Sequence, residues 1–197
     1  MRVGVLALQG DVPEHLAALA RLGGRAAARP VRSPGDLAEV DALFLPGGES
    51  TTIARLMEEG GLWQPLATRL GRGFPVLATC AGLILLARSL APGASGRDPP
   101  TFGVLDVRVR RNDYGAQRES FESPVRIEGL RGGPFPGVFI RAPRILEVGP
   151  KAAPFAWHGD EVVGVREGKL WGTTFHPELS DDLRLHRQFL AAVRGGR

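Results

Sequence analysis

The only cysteine of the chain, Cys80, lies where two apolar runs meet. The run before it, Val76 to Ala78, is typical of a buried strand, and the run Leu83 to Ala87 after it indicates the start of a helix. A strand that turns abruptly into a helix aims the joint residue at solvent, and the nearby helix N-terminus favours a thiolate. Residues 78–82 match the nucleophile-elbow pattern G-x-[S/C]-x-G, except that Ala78 replaces the first glycine. On this stretch alone, Cys80 is either a nucleophile or a small apolar core residue.

A cysteine nucleophile needs a base, and the base needs a group that orients it. His176 follows an apparent strand and is itself followed by Pro177 and Glu178. In an extended segment, residues i and i+2 point the same way, so Glu178 is placed to hold the imidazole of His176. Without Cys80, a turn with a surface salt bridge would explain this triplet better.

The other three histidines give weaker signals. His15 and His186 lie on predicted helices, where a structural or surface role is expected. His158 lies beside aromatic residues, which favours packing or a hydrogen bond and leaves a site-lining role open. A zinc site is disfavoured because one cysteine offers no paired ligand spacing.

The loop Pro46-Gly47-Gly48-Glu49-Ser50 follows a predicted strand. Glycines let backbone N–H groups approach a ligand closely, and such groups stabilise an oxyanion that forms at an attacked carbonyl. A plain turn with Ser50 capping the next helix is the alternative, and the local sequence does not decide between them. A phosphate cradle is disfavoured because no Gly-Lys-Ser/Thr follows.

Length and composition indicate one globular domain over residues 1–197, with 43% hydrophobic and 23% charged residues. A single cysteine allows no intramolecular disulfide, which fits a cytoplasmic location. No apolar stretch approaches the length of a membrane span, so no membrane association is expected. The net charge of +4 comes almost wholly from scattered arginines, which disfavours a nucleic-acid partner.

Strands and helices alternate through the first half of the chain, which predicts an α/β fold with a mostly parallel sheet and helices on both faces. After Leu90, short apolar runs separated by Gly and Pro predict several strands, some of them antiparallel. A final helix is expected over residues 182–193. Ligands of parallel sheets bind beyond the carboxyl ends of the strands, where the Gly47 loop, Cys80 and His176 all fall.

Together these residues resemble the class I, triad-type glutamine amidotransferases, and within them the glutaminase subunits of pyridoxal 5′-phosphate synthase. The matching stretches run nearly end to end in the expected order: Gly4–Asp11 with Glu14-His15, Pro46–Thr52, Thr79–Gly82, Arg111–Gly115, Ser120–Glu122, Phe139–Pro143 and Phe175–Leu179. Two residues depart from the family pattern. Ala78 replaces the glycine before the elbow, and Ala116 stands where the family usually has arginine.

The resemblance implies a flavodoxin-like three-layer fold and hydrolysis of L-glutamine to glutamate and ammonia. In that reaction Cys80 is the nucleophile that forms a γ-glutamyl thioester, His176 transfers protons and Glu178 orients His176. The implied oxyanion hole consists of the N–H groups of Gly47 and Ala81. The implied glutamine-binding residues are Gly47, Gly48, Glu49, Arg111, Ile140 and Arg141. Glu49 suits the substrate ammonium, and Arg111 or Arg141 suits its carboxylate.

The resemblance further implies that the partner is a barrel-shaped synthase subunit, which uses the ammonia to build pyridoxal 5′-phosphate. No cofactor or metal is expected in this chain. Three alternatives remain: a glutaminase for another synthase, such as that of the imidazole glycerol phosphate pathway, a redox-sensing binding module that uses the Cys80 thiol, and a cysteine peptidase.

Overall fold

The computed structural model describes residues 1–23, 28–92, 98–111 and 120–195. The helices are α1 (Val12–Arg21), α2 (Pro34–Ala38), α3 (Ser50–Glu59), α4 (Trp63–Gly71), α5 (Ala81–Leu86) and α6 (Arg184–Gly195), with a 3-10 turn at Pro177–Leu179. The strands are β1 (Val3–Leu6), β2 (Ala28–Val31), β3 (Ala42–Leu45), β4 (Val76–Thr79), β5 (Ala87–Leu90), β6 (Leu105–Arg110), β7 (Ser120–Ile127), β8 (Phe135–Ile140), β9 (Arg144–Val148), β10 (Ala153–His158), β11 (Glu161–Glu167) and β12 (Leu170–Thr173).

Nine strands form one sheet in the order β2-β1-β3-β4-β12-β11-β10-β7-β8. The first five strands of that order pair in parallel, and the remaining pairs are antiparallel. A second sheet of three strands has the order β5-β6-β9. The predicted α/β class is therefore confirmed, with parallel strands dominating the first half of the chain and, apart from β12 beside β4, mostly antiparallel pairs after Leu90.

Alternate residues of the parallel strands point into two separate hydrophobic clusters, one on each face of the sheet. In β3, Leu43 and Leu45 belong to the cluster that includes residues of α2 to α5, whereas Phe44 belongs to the cluster that includes residues of α1 and α6. Burial on both faces explains why the strand sequences are continuously apolar rather than alternating. Among the described residues, none of the helices has the length and apolar character that crossing a bilayer requires.

Most predicted elements are present, with shifts of a few residues at their ends. The sequence from Ala26 to Val31 predicts a strand, which appears as β2, and Ala26 and Ala27 lie outside the described residues. The helix after Cys80 was expected to continue through Ala87, but it ends at Leu86 because the chain there becomes extended and pairs with β6. The strands β5 and β10 and the short helix α2 were not predicted.

The elbow helix α5 lies close against β3, and Gly82 makes this approach possible. A Cβ atom added at Gly82 would lie 2.3 Å from the backbone oxygen of Leu45, far inside van der Waals contact. A backbone carbonyl in a central strand cannot rotate away as a side chain can. A residue with any side chain at position 82 would therefore push α5 away from the sheet.

Replacing Gly82 with alanine should lower the free energy of unfolding by about 1–3 kcal/mol because of this overlap. Gly71→Ala is the matched control, since Gly71 also lies in a helix but has no atom within 4 Å of an added Cβ. The control should leave stability unchanged or raise it by up to about 1 kcal/mol. Urea unfolding of both variants checks this, and equal stabilities would show that the helix–strand contact is not tight.

Candidate active site

Cys80 has a backbone conformation that L-residues rarely adopt, with φ 47° and ψ −101°. Among the described residues, Cys80 and Arg141 (φ 43°) are the two non-glycine positions with positive φ. The Cys80 N–H donates to Thr173 O at 2.8 Å, and its carbonyl accepts from Ile84 N at 3.2 Å. These bonds to β12 and to α5 hold the elbow in its strained shape. Such strain persists where the surrounding structure imposes it, which is common at functional sites.

The Cys80 side chain faces a cavity of about 320 Å³. The thiol lies 3.8 Å from Ile140 O, to which it donates. Seven of the predicted site residues line this cavity: Gly48, Glu49, Cys80, Arg111, Ile140, Arg141 and His176. The other three, Gly47, Ala81 and Glu178, are not among its lining residues. A larger cleft of about 720 Å³ lies at the opposite ends of β4 and β12 and contains none of the predicted residues.

His176 and Glu178 form a buried pair in which Nδ1 of the imidazole lies 2.8 Å from Oε1 of the carboxylate. The prediction of this pair assumed an extended segment, but Glu178 lies in the 3-10 turn instead. The turn brings the two side chains together just as well. The backbone N–H of His176 donates to Val138 O at 2.8 Å, which ties the histidine to β8.

A second carboxylate also reaches the His176 imidazole, because Asp11 Oδ2 lies 3.1 Å from Nδ1. Burial lowers the pKa of His176, but the neighbouring Asp11, Cys80 and Glu178 outweigh burial and raise this pKa well above its usual range. Burial raises the pKa of Glu178, but His15 and His176 outweigh it and hold this pKa below its usual range. The geometry therefore favours an imidazolium beside a carboxylate. Nε2 of His176 is buried and has no hydrogen-bond partner among the described residues.

Asp11, His176 and Glu178 each offer one atom within 4.8 Å of the others, a spacing that also suits a metal ion. Nδ1, however, already lies between two carboxylate oxygens, and its proton satisfies both of them. We therefore interpret the cluster as a charge-paired imidazole. The contact between Asp11 and His176 was not predicted, because Asp11 is not among the predicted site residues. In the structure Asp11 occupies the N-cap position of α1 without a side-chain cap hydrogen bond.

Gly47 lies against the His176 ring. A Cβ atom added there would lie 2.3 Å from Cε1 of His176, so only glycine fits. The Gly47 N–H donates to the hydroxyl of Thr79 at 2.9 Å. Its predicted role in an oxyanion hole therefore requires this hydrogen bond to open. Ala81 is the first residue of α5, where a backbone N–H has no acceptor within its own helix.

Glu49, rather than the expected Ser50, caps α3. The Glu49 carboxylate accepts from Thr52 N at 2.7 Å and from Thr51 N at 3.3 Å, while Ser50 is the first helical residue. Burial raises the pKa of Glu49, but hydrogen bonds from Thr51 and Thr52 outweigh it and lower this pKa to about 2. The side chain of Glu49 is 48% exposed, so the carboxylate still reaches the cavity.

Arg111 is paired with two acidic side chains at the cavity wall. Its guanidinium lies 3.4 Å from Glu49 Oε1 and 3.5 Å from Asp98 Oδ1. Arg111 and Glu49 therefore present opposite charges side by side, as a zwitterionic ligand needs. The family residues 112–116, including the departure at Ala116, lie outside the described residues.

Two histidines of uncertain role are now placed. His158 contacts the Ser123 hydroxyl through Nδ1 at 3.1 Å and does not line the Cys80 cavity, which supports a structural role. His186 is fully buried and stacks on Phe44, with ring centroids 5.6 Å apart. Neither ring nitrogen of His186 has a hydrogen-bond partner among the described residues. Burial, reinforced by His15, lowers the pKa of His186 to about 4.

This lowered pKa predicts a loss of stability in acid. Between pH 6.5 and about 4 the unfolded chain binds a proton at His186 that the folded chain does not, so the free energy of unfolding falls as the pH falls. Above pH 6.5 the free energy of unfolding is not reduced by protonation of His186. By pH 4 this protonation has lowered the free energy of unfolding by about 3 kcal/mol. His186→Phe should flatten this part of the profile, as measured by urea unfolding at a series of pH values. Equal slopes in both proteins would mean that His186 is not the titrating group.

Comparisons with known proteins agree with this fold. The family model of the SNO glutamine amidotransferase family matches residues 5–194. The pyridoxal 5′-phosphate synthase subunit PdxT of Thermococcus onnurineus is 50% identical over 195 residues, which cover 96% of this chain and 98% of that protein. The protein of the same name from Streptomyces coelicolor is 52% identical over 195 residues, covering 99% of this chain and 95% of that protein.

Solved structures give the same result. A crystal structure of a glutamine amidotransferase superimposes with a TM-score of 0.88 at 46% sequence identity, covering 98% of both chains. A putative GMP synthase component from Thermoplasma acidophilum, 17% identical, has a TM-score of 0.69 over 100% of this chain and 96% of that chain, which shows the shared fold alone. The fold and the comparisons thus define an enzyme of the glutamine amidotransferase class. This chain belongs to the SNO glutamine amidotransferase family.

Proposed function

We propose that this chain is the glutaminase subunit of a pyridoxal 5′-phosphate synthase. In this proposal residues 1–197 form one catalytic domain that hydrolyses L-glutamine in the cytoplasm and supplies ammonia to a barrel-shaped synthase subunit. The observation that carries the chemistry is that the strained Cys80 elbow and the charge-paired His176 line one cavity. The name pyridoxal 5′-phosphate synthase subunit, borne by relatives that match nearly the whole chain, supports the choice of partner.

The reaction begins when the Cys80 sulfur attacks the side-chain amide carbon of glutamine. Before this attack the thiol proton has passed to Nε2 of His176, the ring nitrogen that Glu178 does not hold, so that the attacking group is the Cys80 thiolate beside an imidazolium. A carbon–sulfur bond forms, and the carbon–nitrogen bond then breaks as His176 returns the proton to the leaving nitrogen. The products of this half-reaction are ammonia and a γ-glutamyl thioester on Cys80.

Water completes the cycle. His176 accepts a proton from the attacking water, the carbon–sulfur bond breaks, and the proton returns to the Cys80 sulfur as L-glutamate forms. Glu178 keeps the imidazole in one orientation and stabilises its charged form in both halves of the cycle. The overall change is the addition of one water to glutamine, and no oxidant or cofactor takes part.

The charged groups at the cavity suit the ends of a zwitterionic amino acid. Glu49 accepts from the substrate ammonium, and Arg111 or Arg141 binds the substrate carboxylate. Gly48 and Ile140 form further parts of the cavity wall. The N–H groups of Gly47 and Ala81 stabilise the oxyanion, which requires the Gly47 N–H to turn away from Thr79.

Ammonia must reach the synthase without protonation in bulk water, so the two subunits work as a complex. In this proposal pyridoxal 5′-phosphate is made by the partner and is not a cofactor of this chain. Neither a nucleic acid nor a membrane takes part. A glutaminase that serves another synthase would use the same chemistry, and it is distinguished by its partner.

Ammonia release from L-glutamine should rise when the synthase subunit is added, and Cys80→Ala should lower it by at least about 10³-fold. The substitution removes the nucleophile and little else, since it retains a small side chain. A coupled glutamate assay measures both proteins with and without the synthase. The large subunit of an imidazole glycerol phosphate synthase serves as the partner control.

Activity that depends on Cys80 but ignores the pyridoxal 5′-phosphate synthase subunit would reject that partner and keep the glutaminase. Absence of glutamine hydrolysis in every condition would reject the glutaminase and favour a binding module. Cleavage of a peptide substrate with indifference to free glutamine would instead indicate a peptidase.

A further inference from the structure

Thr79 connects three parts of the site that are far apart in sequence. It is the last residue of β4, precedes Cys80 and is fully buried. Its hydroxyl oxygen lies 2.9 Å from the backbone nitrogen of Gly47, 3.2 Å from Nε2 of His15 and 3.4 Å from Oε1 of Glu178. These three groups belong to the loop after β3, to α1 and to the 3-10 turn after β12.

We propose that Thr79 is a positioning residue that couples the carboxylate of Glu178 to the backbone N–H of Gly47. The proposal deepens the function proposed above and rests on it, because both coupled groups act on the reaction at Cys80. According to this proposal, the orientation of the Glu178 carboxylate and the orientation of the Gly47 loop depend on each other. Removing the Thr79 hydroxyl should release both.

The hydrogen-bonding capacity of one hydroxyl accounts for all three contacts. A threonine hydroxyl offers one proton and two lone pairs. The Gly47 N–H takes one lone pair. An ionised Glu178 can only accept, so the hydroxyl proton points to its carboxylate. Nε2 of His15 must then carry a proton, which it donates to the second lone pair of Thr79 or to Glu178 Oε1, 3.4 Å away.

With this proton on Nε2, His15 is neutral as long as Nδ1 carries no proton of its own. The structure agrees, because Nδ1 of His15 is buried and has no hydrogen-bond partner among the described residues. Burial lowers the pKa of His15 despite the opposing charge of Glu178, which also favours the neutral ring. The expected structural role of His15 therefore extends to a direct contact with the triad acid.

Coupling runs through a single carboxylate oxygen. Oε1 of Glu178 meets Nδ1 of His176, Oγ1 of Thr79 and Nε2 of His15, whereas Oε2 is buried without a partner among the described residues. A change in the charge of His176 alters what Oε1 can accept from Thr79. The Thr79 hydroxyl transmits that change to the Gly47 N–H, which must leave Thr79 to bind an oxyanion.

Hydrogen exchange at the Gly47 amide, followed by NMR on the full chain, tests the coupling without relying on activity. Thr79→Val should speed this exchange about fivefold or more, because the amide loses its acceptor. Thr79→Ser should keep exchange near the wild-type rate, since it retains the hydroxyl. Glu178→Gln should speed exchange in the wild-type background but have no further effect in Thr79→Val.

Thr174→Val is the matched control for loss of a buried hydroxyl. Thr174 is 1% exposed, and its hydroxyl donates to Val163 O rather than to a group of the Gly47 loop or Glu178. This variant should leave Gly47 exchange unchanged. Equal exchange in Thr79→Val and wild type, or additive effects of Glu178→Gln and Thr79→Val, would overturn the proposal.

Steady-state kinetics of the complex with the synthase give the second readout. Thr79→Val should lower kcat for glutamine about tenfold to hundredfold with KM within about twofold, and Thr79→Ser should restore most of kcat. An unchanged kcat in Thr79→Val, or a serine variant as impaired as the valine variant, would refute a positioning role. An inactive wild-type complex would reject the proposed function instead, and the exchange data would still decide whether the two groups are coupled.

Discussion

The backbone strain at Cys80 is the constraint on which the rest of the site depends. A cysteine at φ 47° is held there by hydrogen bonds to β12 and α5, and the close approach of α5 to β3 requires Gly82. The departure at Ala78 leaves this geometry intact, because Ala78 lies inside β4 with its side chain in the core. Backbone contacts with the parallel strands therefore fix the position of Cys80 without help from its side chain. The same strands bring the Gly47 loop and His176 to the same edge of the sheet.

The charged groups around His176 then determine its protonation state. Two carboxylates, from Asp11 and Glu178, meet one imidazole nitrogen in a largely buried position, and together they outweigh the cost of burying the charge. The other ring nitrogen stays free of protein partners among the described residues, as a proton carrier requires. His15 and Thr79 also contact Glu178, so two longer contacts add to the ion pair with His176 in holding the acid.

Much of this could be predicted from the sequence because β3 and β4 are almost wholly apolar runs that lead directly into Pro46 and Cys80. The strands β5 and β10 were missed, since their residues are only partly apolar and are stabilised by pairing with distant strands. The cap of α3 was misassigned because short polar side chains such as that of Ser50 are the usual caps, whereas Glu49 caps this helix. The contact of His15 with Glu178 joins α1 to the 3-10 turn after β12, and local spacing gives no signal for such a pair.

The central claim is that Cys80 carries the glutamyl group during turnover. Intact-mass spectrometry of the complex, quenched in acid during steady-state turnover of L-glutamine, tests it most directly. The account predicts a species heavier by one γ-glutamyl group, located on Cys80 by peptide mapping and absent from the Cys80→Ala variant. Rapid ammonia release with the glutamyl group on another residue, or sustained by Cys80→Ala at the wild-type rate, would contradict it.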